Sequence, residues 1–307
     1  MNWSTLVPAA AAILPMLIIV ALTGVVRHAE GMRRKHSPFN RDFLRPAGFS
    51  LQRRLEELQL ELALSFGFGL LVPLWFYSMW LSVGNWYPSA ASPVLGFVYA
   101  SAGLGGFLFL LNRTTSNYRA LRVVRTGLDG ELATGQELDR LMRHGCRIFH
   151  DVPAGKSNID HVVVGPTGVL AVETEARNRP DRGRGAADAT VEFDGYKLQF
   201  PDESRNTPLD RAGQKARWLS DWLREVLGQD VPVQAVLALP GWFVDRRGVG
   251  TVSVVNPKEA AKLIQGPVVL DRKIQERISF RLERACRATP PPRRRQETVT
   301  PVASRVS

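Results

Sequence analysis

Residues 158–175 read Asn158-Ile-Asp-His-Val-Val-Val-Gly-Pro-Thr-Gly-Val-Leu-Ala-Val-Glu-Thr-Glu175. Two apolar runs, Ile159 to Val164 and Val169 to Val172, flank Gly165-Pro166-Thr167-Gly168. Two β-rich runs about a Gly/Pro turn predict a β-hairpin. Asp160 opens its first strand, and Glu173 and Glu175 close its second. Alternation places Glu173 and Glu175 on one face. Antiparallel pairing brings the start of one strand beside the end of the other, so Asp160 is expected near both. Three carboxylates at one sheet end repel each other unless a cation lies among them.

Outward from the hairpin, the segments read as an α/β layer domain. Asp129 to His144 has a helical pattern through Leu132, Leu138, Leu141 and Met142, with Gly145 as its C-cap, and Cys146 to Val152 reads as a strand. Downstream, Arg177 to Asp188 is a polar, glycine-rich loop, and Thr190 to Phe200 is a strand or strand pair turning at Asp194-Gly195. Pro208 to Leu227 is an amphipathic helix, Val233 to Leu239 and Thr251 to Val255 are strands, and Pro257 to Ile264 and Asp271 to Cys286 are helices. A Pro/Arg-rich tail, residues 290–307, has the composition of a disordered segment.

Upstream, Leu6 to Val26, Leu62 to Val83 and Pro93 to Leu111 are each long and apolar enough to cross a bilayer. The expected organisation is a first span over residues 1–26, a basic loop over 27–61, a two-helix hairpin over 62–112, a linker over 113–126 and a soluble domain over 127–289. Met1 to Thr5 carries no basic residue, which favours a signal anchor or ordinary span over a cleaved signal peptide. The loop before the second span holds Arg27, Arg33, Arg34, Lys35, Arg41, Arg45, Arg53 and Arg54, residues 84–92 hold no charge, and Arg113, Arg119, Arg122 and Arg125 follow the third span. That asymmetry predicts a multi-pass protein of the cell membrane, with its N-terminus outside and the soluble domain in the cytoplasm. The basic loop can bind nucleic acid or, as the simpler reading, set orientation and contact anionic lipid.

The net charge of +11 and pI near 10.2 point to an anionic partner, nucleic acid or lipid. Cys146 and Cys286 stand far apart and read as two reduced thiols; the five histidines make no zinc-binding pattern. His161 reads first as a packed strand residue. Trp218 and Trp222 read as packing residues, with base stacking as the alternative. Arg177, Arg179, Arg182 and Arg184 are placed either to contact phosphates or to solvate a loop.

Gly130-Glu131, Asn158-Ile-Asp-His161, Gly168-Val169, Glu173-Thr174 and Asn206-x-Pro208 with Gln214 resemble the nuclease-related domain, NERD, a branch of the PD-(D/E)xK nuclease superfamily. The resemblance runs from Gly127 to Leu239. It implies a restriction-endonuclease-like mixed-sheet α/β domain and Mg²⁺- or Mn²⁺-dependent hydrolysis of DNA phosphodiester bonds. It implies metal ligation by Asp160 and Glu173, with Glu131 joining the metal site or orienting a water, Gln214 positioning substrate or the hairpin, and Glu175 also in the catalytic set. The family pattern has Lys two residues after the Glu, where this chain has Glu175. A lysine is then expected from elsewhere, Lys156, Lys197 or Lys215, or Glu175 itself serves as base or ligand. Two non-catalytic readings stand beside this one: a membrane-tethered nucleic-acid-binding module without activity, and a membrane scaffold.

Overall fold

The computed structural model describes residues 43–86, 92–180, 182–183 and 185–287, together with residues 21, 24 and 25. Most of the first apolar stretch, the loop up to residue 42, Arg184 and the tail from residue 290 lie outside the described residues.

Two long helices come first, α1 (Phe49–Trp86) and α2 (Pro93–Asp139). Both are long and apolar enough to cross a membrane, so two candidate spans, not three, are found among the described residues. Ser92 caps α2, its side chain accepting from the Leu95 N–H at 3.2 Å, and Pro93 sits in the first turn, where its missing donor costs nothing. The stretch expected as a linker, residues 113–126, is helical and continuous with the candidate span. Its arginines interrupt hydropathy but not helix propensity, since Arg and Leu are both good helix formers. The two helices stay paired beyond their apolar parts: Thr114 Oγ1 donates to Ser65 Oγ at 3.1 Å and Arg113 faces Glu61 at 3.8 Å. From Leu111 to Gly127 this stalk of α2 extends roughly 24 Å at 1.5 Å per residue.

The C-terminal part of α2 ends inside the α/β domain. Gly130, Glu131, Thr134, Gly135 and Leu138 of α2 are buried there. A 3₁₀ turn, Arg140–His144, follows, and Gly145 closes it at φ 80°. A five-stranded mixed sheet then has the order β1 (Arg147–Ala154), β2 (Ser157–Gly165), β3 (Gly168–Thr174), β7 (Val233–Ala238), β9 (Val252–Val255). The pairs β1/β2 and β2/β3 are antiparallel, whereas β3/β7 and β7/β9 are parallel. The crossover from β3 to β7 passes through α3 (Thr207–Leu227), as a parallel pair requires. A smaller sheet, β6 (Ser204–Arg205), β5 (Leu198–Gln199), β4 (Thr190–Phe193), β8 (Phe243–Arg246), is inserted within this crossover and completed after β7. Pro257–Ile264 is a 3₁₀ helix, and α4 (Arg272–Cys286), capped by Asp271, closes the domain.

Both faces of the main sheet are covered. Val162, Val164, Val169 and Ala171 pack with Leu209, Ala212, Leu219 and Leu223 of α3 and with Ile278 and Leu282 of α4. Val163, Leu170, Val172 and Val236 pack on the other face with Leu138 and Leu141. Because both faces are apolar, hydrophobicity alone does not fix the hairpin register. The turn does: Gly165 pairs with Gly168, which adopts φ 137°, and that register carries Asp160 to the end of β3.

Candidate functional site

A cleft of about 610 Å³ opens where the carboxyl end of β3 meets the start of α3 and the foot of the stalk. In parallel sheets the carboxyl strand ends are where helix N-termini and loops converge on ligands. Register places Glu173 opposite Leu237 of β7, and the Glu175 N–H continues the ladder by donating to Ala238 O at 3.0 Å.

Asp160 and Glu173 meet here. One Asp160 oxygen accepts from the Thr174 backbone N–H at 2.7 Å, and the other accepts from Lys215 Nζ at 3.2 Å. The same ammonium donates to Glu173. Arg211, one turn earlier on α3, pairs with Glu175 and lies 3.9 Å from Glu173. The i, i+4 spacing of Arg211 and Lys215 puts two cations over the acidic end of β3. Lys215 thus supplies the positive charge that the strand lacks at Glu175; of the three candidate lysines, only it lines the cleft.

Glu131 enters from α2 because the helix comes very close to the strand end. A Cβ on Gly130 would stand 2.3 Å from that of Ala176, and one on Gly135 would stand 2.8 Å from that of Ala47. Glu131 is 8 % exposed and lines the same cleft, yet no hydrogen bond or ion pair engages its carboxylate among the described residues. Burial, then the charges of Asp160 and Asp151, raise its pKa to about 8. Burial and Asp160 likewise raise Glu173 to about 7, against the opposing pull of Lys215 and Arg211. Burial works to lower the Lys215 pKa, but Asp160 and Glu173 outweigh it and raise the value. The cluster therefore holds protons near neutrality unless positive charge is added.

Among the described residues no three His, Cys, Asp or Glu side chains converge closely enough to hold a metal ion between them. Two hard carboxylates, Asp160 and Glu173, do converge, and Mg²⁺ is commonly bound through one or two carboxylates with water completing its shell. The raised Glu131 and Glu173 pKa values mark an excess of acidic groups that a divalent cation would relieve. On that donor chemistry the residues fit such an ion.

The other expected residues fall outside this cluster. Gln214 is exposed and does not line the cleft, because it lies about 100° around α3 from Lys215. His161 is fully buried, its Nδ1 2.9 Å from His150 Nδ1, and His150 Nε2 lies 3.2 Å from Asp139. Burial lowers the pKa of both rings. Trp218 and Trp222 stack on each other at 6.2 Å and pack against the core. Arg177 is spent on Asp202 and Glu203 and lies over the Phe200 ring.

Three contributors were not expected from the sequence: Arg211, Arg205 at the rim, and a framework behind Asn158. Asn158 Nδ2 donates to Asp151 Oδ1 at 3.0 Å, and Arg45 Nη1 lies 3.2 Å from Asp151 Oδ2. Asp151 is buried and adopts φ 49°, rare for a residue other than glycine. The Arg211–Lys215 spacing was the available signal for α3; nothing local marks Arg45.

Residues 126–240 match the family model of the nuclease-related domain, NERD. No curated protein and no solved structure matches the chain.

Proposed function

Since residues 126–240 match the family model of the nuclease-related domain, we propose that this chain is a membrane-anchored, cytoplasmic nuclease that hydrolyses DNA phosphodiester bonds with Mg²⁺ or Mn²⁺. The observation that carries this reading is the Lys215 ammonium bound to both Asp160 and Glu173. It restores an acid–acid–lysine set although the strand carries Glu175 in place of lysine.

Asp160 and Glu173 would hold the cation. When bound, it polarises the phosphodiester and lowers the pKa of attached water. The chain's own residues do the rest. Lys215 has an ammonium at the mouth of the carboxylate pair, where it can stabilise charge developing on a phosphate oxygen. Arg211, tied to Glu175, offers its remaining N–H donors to a neighbouring phosphate. Glu131, with its pKa near 8, can take or give a proton at its carboxyl oxygen near neutral pH. The Asp160–Thr174 hydrogen bond fixes the carboxylate orientation from the backbone.

Anchoring is supported by the two apolar helices and by the arginines that follow the second. In this reading the soluble domain faces the cytoplasm, and the arginines of the basic loop meet anionic lipid. The rival reading, a binding module or scaffold without activity, is favoured by one observation: Asp160, Glu173 and Glu175 already have protein cations.

The deciding experiment is plasmid nicking by the full chain in detergent micelles with Mg²⁺ or Mn²⁺. Nicking by wild type, lost in Asp160→Asn and in Lys215→Ala, supports the nuclease. Tight plasmid binding without nicking in any protein would favour the inactive module.

A further inference from the structure

The cleft has two unlike walls. Arg205 of β6 with Arg211 and Lys215 of α3 make one set of lining side chains; Leu51 of α1 with Val123 and Val124 of α2 make the other. Val123 is 72 % exposed and stands about 12 residues beyond Leu111, where the apolar run of its helix ends. Burial in the fold therefore does not account for an apolar side chain there.

This wall is held in place. A Cβ on Gly127 would stand 3.2 Å from Leu51 Cδ1, and one on Gly130 would clash with Ala176, so the helices meet each other and the strand end without slack. The stalk cannot swing aside to widen the cleft without breaking these contacts. Glu173, at the bottom, is only 4 % exposed, so a reacting phosphodiester has to descend between the walls.

We propose that the cleft selects single-stranded DNA, with its backbone along the Arg205–Arg211–Lys215 side and its bases against Leu51, Val123 and Val124. The inference rests on the nuclease reading above and specifies its substrate. A duplex has its base faces stacked inside and turns charged phosphates outward, so it offers the apolar wall nothing to bury. An unpaired strand offers both surfaces at once, phosphates to the N–H donors that Arg205, Arg211 and Lys215 have left beyond their ion pairs and base faces to apolar side chains.

The test uses fluorescein-labelled oligo-dT and a hairpin duplex of equal length, offered to the full chain in detergent micelles with Mg²⁺. Anisotropy reads binding and a denaturing gel reads cleavage. Oligo-dT should bind about tenfold more tightly than duplex and be the strand that is cut, since covering one exposed Val side chain with a base face is worth roughly a factor of ten. Val123→Ser should weaken oligo-dT binding by roughly fivefold, and Val123→Trp should strengthen it, with duplex binding unmoved. Opposite shifts at so exposed a position do not arise from misfolding. Equal or tighter duplex binding, with either DNA cut, would overturn the single-strand assignment and leave the nuclease reading standing. A preference for oligo-dT indifferent to both Val123 substitutions would overturn the role of the wall. Neither binding nor cleavage of either DNA would overturn both.

Discussion

Lys215 Nζ lies 3.2 Å from Asp160 Oδ1, across 55 residues of sequence and from a different element of the fold. Lys215, Asp160 and Glu173 are all mostly buried, so removing the ammonium leaves two carboxylates facing each other in a low-dielectric cleft. Loss of one partner from such a buried set costs roughly 3–5 kcal/mol. Lys215→Met should therefore lower the melting temperature of the protein in EDTA. Adding Mn²⁺ should recover more stability in this variant than in wild type, because the ion then supplies the missing charge. Melting curves of both proteins, with and without metal, check this; equal metal shifts would mean that the ion binds elsewhere.

Glu175 has a different task. Its carboxylate holds Arg211, whose guanidinium is about half exposed. A partly exposed pair contributes about 1 kcal/mol or less. Glu175→Ala should hardly change stability, and Glu175→Lys should not raise cleavage, since the lysine position is already served and the new charge would repel Arg211. The ranking on one nicking gel is the check: Lys215→Ala far below Glu175→Ala, and Glu175→Lys no better than wild type. A gain from Glu175→Lys would place the catalytic lysine on the strand after all.

The hairpin and its acidic end were legible because turn residues and alternation are local rules. Asp160, Glu173 and Glu175 came together as strand geometry requires, and the helix and strand boundaries after Gly145 fall within a few residues of expectation. The sequence concealed what depends on distant packing. Lys215 was one of three candidate lysines, and only the β3–α3–β7 crossover selects it. The long helix α2 was read in pieces because its arginines break the hydropathy pattern, although helicity continues through them. Strand β8, of four residues with little alternating burial, carries almost no local signal and exists by pairing with β4. Gln214 came from the family pattern; its exposed place on α3 follows from helical phase.

The raised acids give a pH dependence whose sign can be worked out. The pKa values of Glu131 and Glu173 rise from an ordinary 4.5 to about 8 and about 7 on folding. The folded protein therefore holds protons that the unfolded chain has already lost, and stability falls as pH rises. Their favourable contribution is complete below about pH 4.5 and disappears through pH 7 and 8. The lowered pKa values of His150 and His161 act in the opposite direction, but only below their ordinary 6.5. The clean window is then about pH 7 to 9. In EDTA the melting temperature should drop across that window, and Glu131→Gln should flatten most of the drop. A wild-type melting temperature that is constant or rising there would contradict the raised pKa values.

Arg45 precedes both long helices and lies well before the family match at residues 126–240, yet it belongs to the domain. Its backbone N–H donates to Cys286 O at 3.1 Å, its neighbour Leu44 bridges to Arg287, and its guanidinium neutralises buried Asp151. Asp151 in turn holds Asn158 at the cleft. Arg45→Met should leave a buried carboxylate without its cation, at a cost of about 3 kcal/mol or more. Arg45→Lys should restore part of it, less than fully, because lysine loses the planar guanidinium that lies 5.5 Å from the centre of the Phe49 ring. Limited proteolysis gives an independent reading: the Met variant should become cleavable near residue 45 while the core of its α/β domain persists. If Arg45→Met melts like wild type and resists protease, the segment before α1 is an exposed lead-in and the cleft framework begins at the stalk.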